Sequence, residues 1–199
     1  MAVTMASFCM SLDGFVARRD NSVGPLFDWY QGGDVEVPMV GYPVKFRVAK
    51  ASADYLTRLM ADAARSAFVC GRRVFEYTHG WGGNPPGGGK AFVVTHRPPP
   101  ADWPREQLAP FTFVSNVAHA IEQAKSAGDG NVGVSGPAIA QQCLNLGLLD
   151  ELRIDLVPVF LGEGVRYFEN ITTAKPELER VEVVEGVGVT HLRFRVHHR

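Results

Sequence analysis

Three strand-to-helix turns contain most of the side chains in this sequence that could bind a ligand. They lie at residues 70–73, 95–97 and 135–138, and each follows a short apolar run typical of a buried strand. A helix N-terminus offers unpaired backbone N–H groups and a partial positive charge, which suit a phosphate. Glycine lets a phosphate approach the backbone, and arginine adds a permanent planar donor. Three such turns in one small domain predict one extended ligand with several phosphates, such as a dinucleotide.

The composition is that of an ordinary soluble domain of 199 residues, and we expect a single domain over residues 1–199. The formal net charge of −1 argues against nucleic-acid binding, which usually needs a strong positive field. Cys9, Cys70 and Cys143 are widely spaced and form no metal-binding motif, so we expect no metal site and a reducing, cytoplasmic location. The N-terminus lacks a signal-peptide pattern and no apolar run approaches ~20 residues, so we expect no membrane span.

Strands alternate with helices in the first part of the chain, and strands alone follow at its end. The predicted strands are residues 3–10, 67–70, 91–95, 112–115, 132–135, 151–156, 178–185 and 190–196. The predicted helices are 52–65 with Ser52 as N-cap, 72–78, 116–127 with Asn116 as N-cap, and 137–146. Segment 20–51 is predicted to be irregular and segment 80–89 to be a loop, because glycine and proline interrupt both. This order predicts an α/β domain with a mixed sheet.

The strand at 151–156 alternates apolar with charged residues, which is typical of a half-buried strand. Its charged face would consist of Glu151, Arg153 and Asp155. Together with the closing strands, this face could pair across a two-fold axis.

Four motifs in this order resemble the reductase domain of bifunctional riboflavin-biosynthesis proteins and their stand-alone relatives with the dihydrofolate-reductase fold. They are Ser-Leu-Asp-Gly-Phe-Val-Ala at 11–17, Gly-Arg-Arg at 71–73, Ser-Gly-Pro through Leu-Leu-Asp-Glu-Leu at 135–152, and Val-Pro-Val-Phe-Leu-Gly-Glu-Gly at 157–164. The resemblance spans nearly the whole chain. It implies a three-layer α/β fold of the dihydrofolate-reductase type, with a mainly parallel central sheet that ends in an antiparallel hairpin. It also implies an NADPH-dependent reductase, commonly a homodimer.

The resemblance also assigns cofactor-binding residues. Residues 71–74 match the turn that holds the cofactor's phosphates, with Val74 in place of a threonine. Residues 95–97 match the strand end that reads the adenosine 2′-phosphate, which favours NADPH over NADH. Residues 135–139 match the turn beneath the pyrophosphate, with Ser135 in place of a glycine. The full candidate set is Ser11, Leu12, Gly14, Gly71, Arg72, Arg73, Val74, Thr95, His96, Arg97, Ser115, Ser135, Gly136, Pro137, Ala138, Ile139 and Gly162.

Three carboxylates are candidates for the proton transfer that accompanies hydride transfer to a C=N or carbonyl carbon. Asp13 lies in the loop that is near the nicotinamide in relatives, Asp54 lies close to where dihydrofolate reductases carry their acid, and Asp28 lies in the segment that would cover the pocket. Each also has a structural explanation, namely a stabilised turn, a favourable helix dipole and simple solvent exposure respectively. An ordered water is a further alternative, and Asp13 ranks first.

The resemblance therefore implies hydride transfer from NADPH to a small heterocycle that is pterin-, flavin- or ribosylaminopyrimidine-like. The resemblance includes 5-amino-6-(5-phosphoribosylamino)uracil reductase activity among the possibilities. The alternative is an NADP(H)-binding protein without turnover.

Overall fold

One eight-stranded sheet runs through the molecule, and the chain crosses it repeatedly through helices. The computed structural model describes residues 2–38, 45–63, 67–128, 130–172 and 176–198. The strands are β1 (Thr4–Ser11), β2 (Phe15–Ala17), β3 (Val35–Pro38), β4 (Lys45–Val48), β5 (Ala67–Gly71), β6 (Ala91–Val94), β7 (Phe111–Val114), β8 (Val132–Ser135), β9 (Glu151–Val157), β10 (Val165–Arg166), β11 (Glu177–Glu185) and β12 (Thr190–His197). The helices are α1 (Lys50–Ala63), α2 (Arg72–Tyr77), α3 (Arg105–Leu108), α4 (Val117–Ser126) and α5 (Pro137–Asn145), with 3₁₀ helices at Gly24–Gln31 and His79–Gly83.

The strand order in the large sheet is β11-β12-β9-β1-β8-β5-β6-β7. Strands β1 and β5 to β9 run parallel, whereas β12 is antiparallel to both β9 and β11. The predicted α/β class, the mainly parallel sheet and the terminal antiparallel hairpin are confirmed. Because β8 inserts between β1 and β5, the sheet has a topological switch point there, and ligands of open α/β sheets bind at the carboxyl ends of such strands.

Helices cover both faces of the sheet and produce three layers. Helices α4 and α5 pack on one face through a cluster that includes Ile121, Ile139 and Leu152. Helix α1 and the first 3₁₀ helix pack on the other face through Leu26 and Leu56. Asn116 caps α4 as predicted, since its side-chain oxygen accepts a hydrogen bond from the His119 N–H at 3.1 Å. Within the described ranges, none of the helices is long and apolar enough to cross a membrane.

The prediction that segment 20–51 is irregular is wrong for its described part. It contains the first 3₁₀ helix and the antiparallel pair β3–β4. Its apolar residues Leu26, Trp29 and Phe46 are buried against α1 and the sheet. The short elements follow no long helical or strand period, so tertiary packing rather than local pattern defines them. Residues 39–44 of this segment lie outside the described residues.

The prediction of Ser52 as an N-cap is also wrong. Helix α1 begins at Lys50, and Ser52 lies inside its first turns with a buried side chain. The Ser52 hydroxyl lies 2.9 Å from His191 Nε2 on β12, so it links the helix to the sheet.

The solvent-facing charged side predicted for β9 is wrong as well, and so is its use as a dimer face. Glu151, Arg153 and Asp155 are all buried, because β9 lies between β1 and β12 and its second face is covered too. Glu151 pairs with both Arg153 and Arg193, while Asp155 contacts His191. Buried charges need such partners, and here the partners come from the same chain.

Candidate active site

A cleft of about 430 Å³ opens at the carboxyl ends of β5 and β8. The first turn contributes Gly71, Arg73 and Val74, and the β8–α5 turn contributes Gly136 with Pro137, Ala138 and Ile139. Strands β2 and β10 form the opposite wall through Val16, Ala17, Val165 and Arg166. We call this the glycine cleft. It brings together seven of the predicted cofactor-binding residues: Gly71, Arg73, Val74, Gly136, Pro137, Ala138 and Ile139.

The glycine cleft depends on the absence of a side chain at Gly136. This residue has a φ of 99°, and a Cβ there would lie 3.2 Å from Val74 Cγ2. The facing Gly71 would place a Cβ 3.4 Å from Ile139 Cγ1. The two turns therefore approach closely, and the first turn of α5 stays accessible from the cleft. A helix N-terminus exposed in this way suits an anionic group.

Two cations line the described part of the glycine cleft from opposite sides. Arg73 belongs to α2, and Arg166 belongs to β10. The Arg166 guanidinium carbon lies 4.5 Å from the centroid of the Phe15 ring, which holds its position on the β2–β10 pair. Arg166 was not among the predicted site residues because the pairing of these two short strands was not predicted. Its place directly after the matched 157–164 motif was the available signal.

The second predicted turn, residues 95–97, lies beside the glycine cleft rather than in its wall. It follows β6, whose Val94 pairs with Gly71 of β5. The Arg97 guanidinium donates to Glu76 Oε2 at 3.1 Å, and Thr95 Oγ1 accepts the Arg97 backbone N–H at 3.0 Å. His96 is exposed and close by in sequence. Ser115 is exposed after β7, a further strand away from the cleft.

Glu76 links two of the three arginines that were predicted to bind phosphate, Arg72 and Arg97. Arg72 Nε donates to Glu76 Oε1 at 2.8 Å, and Arg72 Nη1 donates to the Pro98 carbonyl at 2.7 Å. The hydrogen bond from Arg72, followed by the one from Arg97, lowers the pKa of Glu76. Arg72 is therefore held in place by its own chain, and Arg97 shares its charge with a carboxylate.

The Asp13 carboxylate connects the loop that follows β1 with the loop that follows β9. Ser11 Oγ donates to Asp13 Oδ1 at 2.6 Å, and the Gly162 N–H donates to Oδ2 at 2.8 Å. The Leu12 N–H donates to the Val159 carbonyl at 2.9 Å, and Gly14 completes the turn with a φ of 88°. The Ser11 hydrogen bond is the largest cause of a lowered Asp13 pKa, with the Gly162 N–H contributing. These contacts favour a structural role, and the proton-donor role stays a prediction.

The other two candidate acids lie on exposed surface. Asp54 on α1 pairs with Lys50 one turn earlier, and Asp28 is exposed on the first 3₁₀ helix. Neither lines the glycine cleft or the second cavity described next.

A second cavity of about 360 Å³ lies between α1 and the sheet. Phe27, Tyr30 and Phe46 contribute aromatic rings, and the Tyr30 and Phe46 rings stack at 4.1 Å with an angle of 5° between their planes. Helix α1 adds three apolar side chains, Leu56, Leu59 and Met60. We call this the aromatic cavity. Stacked rings of this kind suit a flat, unsaturated ligand.

Asp155 is the single carboxylate among the described residues that line the aromatic cavity. Its Oδ1 lies 2.6 Å from His191 Nδ1, and its Oδ2 lies 3.8 Å from Cys9 Sγ. Burial, with the Asp155 charge second, raises the pKa of Cys9, and burial likewise raises the pKa of Tyr30. Both groups therefore stay protonated near neutral pH. Asp155 was not among the predicted site residues because the alternating pattern of β9 predicted a solvent-facing position for its side chain.

The two cavities adjoin at the centre of the sheet. Phe8 of β1 lines both, and the neighbouring residues Ser135 and Gly136 line the aromatic cavity and the glycine cleft respectively. One site therefore offers glycine turns and cations, and the next offers aromatic rings and a carboxylate.

The RibD C-terminal domain family matches residues 86–192, which is more than half of the sequence. The chain belongs to this family. The predicted resemblance to riboflavin-biosynthesis reductases is thereby confirmed at the level of the family. No functionally curated protein matches the sequence at a significant level.

Solved structures show the same fold across the whole chain. A putative riboflavin biosynthesis protein from Shewanella sp. PV-4 has a TM-score of 0.71 and 21% identity, covering 98% of this chain and 99% of that one. Dihydrofolate reductase from Enterococcus faecalis, complexed with NADP(H) and RAB-propyl, has a TM-score of 0.58 and 14% identity, and the match covers 99% of this chain and 96% of that one. The predicted fold of the dihydrofolate-reductase type is confirmed.

A bifunctional protein from Thermotoga maritima is also similar. It is a diaminohydroxyphosphoribosylaminopyrimidine deaminase/5-amino-6-(5-phosphoribosylamino)uracil reductase, with a TM-score of 0.62 and 10% identity. The match covers 98% of this chain but 56% of that one, so the chain corresponds to about half of the bifunctional protein.

Proposed function

We propose that the protein is an NADPH-dependent reductase that transfers hydride to a small planar heterocycle. The observation that carries this proposal is the pair of adjoining cavities, which differ in charge and share Phe8. The family match supports reductase chemistry, and the Enterococcus faecalis enzyme of the same fold was solved with NADP(H). The cofactor is assigned to the glycine cleft and the substrate to the aromatic cavity.

The residues of the glycine cleft fit a dinucleotide. Gly136 leaves open the space that a Cβ would fill, and the first turn of α5 presents backbone N–H groups beside it. Arg73 and Arg166 supply positive charge for the phosphates from two sides. NADPH, when bound there, supplies the hydride. Arg97, next to the cleft, is proposed to bind the 2′-phosphate in competition with Glu76.

The aromatic cavity orients the substrate and excludes water. Tyr30 and Phe46 offer a stacked pair of rings against which a flat ligand packs. Leu56 and Met60 close the cavity on the side of α1. Pterin-, flavin- and pyrimidine-like rings all satisfy this shape, so the substrate class is proposed at that level.

The proposal is tested by measuring NADPH consumption with dihydrofolate, dihydropterins, flavins and the deaminated ribosylaminopyrimidine intermediate. We expect NADPH to bind and at least one ring to be reduced. Tight NADPH binding without turnover across the panel would favour the alternative, a cofactor-binding protein without catalysis. Absence of NADPH binding would overturn the proposal.

We also propose that the protein forms a homodimer, as its family resemblance implies. The edge strand β11 exposes Leu178, Val181 and Val183 at 45%, 38% and 45%, which is unusual for three apolar side chains on one strand. Light scattering after size-exclusion chromatography should give about twice the chain mass of 21.7 kDa. A mass near that of one chain at micromolar concentration would rule out a stable dimer.

A further inference from the structure

The aromatic cavity contains no positive charge among its described lining residues. The elements around it do carry cations, but none of those described lines the cavity. Lys50 and Arg58 of α1 pair with Asp54 and Glu182, and Arg153 of β9 pairs with Glu151. Strand β4 buries Phe46 and exposes the flanking Lys45 and Arg47. A phosphate in this cavity would lose its hydration without gaining a cation from the described lining, which is costly.

Asp155 keeps hydrogen-bonding capacity on the oxygen that His191 does not contact. The His191 ring engages Oδ1, and the described contact of Oδ2 is the long one of 3.8 Å to the Cys9 thiol. An ionised carboxylate has about four acceptor positions on its two oxygens. A ligand with N–H groups along one ring edge can therefore satisfy the positions that this chain leaves open.

The position of Asp155 is fixed by a chain of buried contacts. His191 lies between Asp155 and Ser52, with its Nε2 2.9 Å from the Ser52 hydroxyl. The Tyr55 ring stacks on the His191 ring at 4.3 Å. Three elements, β9, β12 and α1, thus hold one carboxylate against the cavity.

The Ser52, His191 and Asp155 side chains also have the connectivity of a hydrolytic triad, but their burial argues against that chemistry. Ser52 is 1% exposed and lines neither cavity. A Cβ on Gly186 would lie 2.2 Å from its hydroxyl oxygen, so the backbone of the terminal hairpin covers it. The end of this network that reaches a cavity is Asp155.

We propose that Asp155 anchors the substrate by accepting hydrogen bonds from N–H groups along one edge of its ring, and that the substrate is an unphosphorylated heterocycle. His191 and Ser52 act as positioning residues for that carboxylate. The inference rests on the proposed function because it takes the aromatic cavity as the substrate site. A reductase with such a substrate differs from one whose substrate must carry a phosphoribosyl group.

The test measures ligand binding to the full chain by isothermal titration without cofactor. The probes are 2,4-diaminopyrimidine, which has N–H donors, 1,3-dimethyluracil, which has none, and the pair cytidine and cytidine 5′-monophosphate. We expect 2,4-diaminopyrimidine to bind and Asp155→Asn to weaken it about tenfold to hundredfold, as expected for hydrogen bonds to a charged group. Binding of 1,3-dimethyluracil should not change in that variant, and the phosphate should weaken cytidine binding.

Asp54→Asn is the matched control, because Asp54 is exposed and lines neither cavity. It should leave all four affinities unchanged. His191→Gln tests the positioning role through the ratio of affinities for 2,4-diaminopyrimidine and 1,3-dimethyluracil. A positioning role lowers that ratio, whereas general loosening of the cavity lowers both affinities alike. Melting temperatures check that each variant is folded.

Three results would overturn the inference: no binding of 2,4-diaminopyrimidine to the wild type at millimolar concentration, equal binding by Asp155→Asn, or tighter binding of the monophosphate than of cytidine. Failure of the proposed function is seen separately. NADPH titrated into the same wild-type protein reports on the glycine cleft. If NADPH does not bind, the proposed function fails, but the Asp155 measurements can still be interpreted because they are made without cofactor.

Discussion

The glycine cleft and the aromatic cavity lie side by side but are built in different ways. The cleft contains two turns where a strand passes directly into a helix, with Gly71 in one turn and Gly136 in the other. The cavity is made of side chains from β1, β4, β9, α1 and the first 3₁₀ helix. Backbone groups at such turns can bind phosphates, which many different ligands share. A site lined by side chains can instead change its ligand through single substitutions. The proposed cofactor and the proposed substrate would therefore be recognised in different ways within one protein.

The two sites also differ in charge. The described lining of the cleft contains two cationic side chains, Arg73 and Arg166, and one acidic side chain, Glu169. In the described lining of the cavity, Asp155 is the single charged residue. The cleft is thus suited to an anion and the cavity to a hydrogen-bond donor. This contrast yields predictions in which a change in one site leaves the other unaffected.

The largest expected effect concerns the thiols, one of which lies in the aromatic cavity. Burial raises the pKa of Cys70 and Cys143 to about 12 from 9.0, and burial with the Asp155 charge also raises that of Cys9. Since the thiolate is the reactive form, we expect a disulfide reagent at pH 8 to react about a thousandfold more slowly than with unfolded chain. Guanidinium chloride should release all three thiols. Rapid reaction of Cys9 in the folded protein would show that the cavity is more open than its burial indicates.

The next effect tests the cleft through Gly136→Ala. A side chain at a φ of 99° and 3.2 Å from Val74 strains the turn by about 1–3 kcal/mol. If the bound cofactor requires the native turn, NADPH affinity falls about fivefold to more than a hundredfold. Gly128→Ala is the matched control, since a Cβ there meets no atom within 4 Å. Binding of 2,4-diaminopyrimidine should be unchanged in both variants, and a loss of both ligands in Gly136→Ala would show that the two sites are coupled.

The same contrast explains which features the sequence alone predicts. The β8–α5 turn could be predicted because its signals are local: an apolar strand, a glycine and Pro137 at the first helical position. The mixed sheet and the closing hairpin follow from the order of such elements, and the family resemblance adds that the sheet is mainly parallel. Seven candidates in the cleft accordingly lie together in the structure.

The aromatic cavity could not be predicted in this way because its contacts span long distances in sequence. Asp155 and His191 are 36 residues apart, and His191 and Ser52 are 139 apart. The alternating pattern of β9 is equally compatible with a solvent-facing or a covered charged side. Burial by α1 and β12 decides between them, and that is a tertiary property. The rings of Phe27, Tyr30 and Phe46 lie in a segment without regular periodicity, which gave no signal of packing.

The smallest expected effect concerns the choice between NADPH and NADH at the edge of the cleft. The Arg97 side chain is 63% exposed and pairs with Glu76. Solvent and the Glu76 carboxylate therefore both weaken its electrostatic attraction for a 2′-phosphate. We expect Arg97→Ala to lower NADPH affinity about fivefold to thirtyfold, as for a charge-assisted contact of ~1–2 kcal/mol. NADH has no 2′-phosphate and should bind as before.

For Glu76→Gln we expect the opposite change in NADPH affinity. Comparing NADPH with NADH distinguishes an effect on the 2′-phosphate from a general electrostatic effect on both cofactors. The substitution removes a negative charge that the 2′-phosphate would face, while the side-chain amide oxygen can still accept from Arg72. We expect NADPH to bind up to about fivefold more tightly, the range of an exposed ion pair, with NADH unchanged. Titration of both cofactors against both variants measures the two ratios. Equal changes for NADH and NADPH in either variant would mean that Arg97 and Glu76 act on a phosphate that the two cofactors share, and that another residue reads the 2′-phosphate.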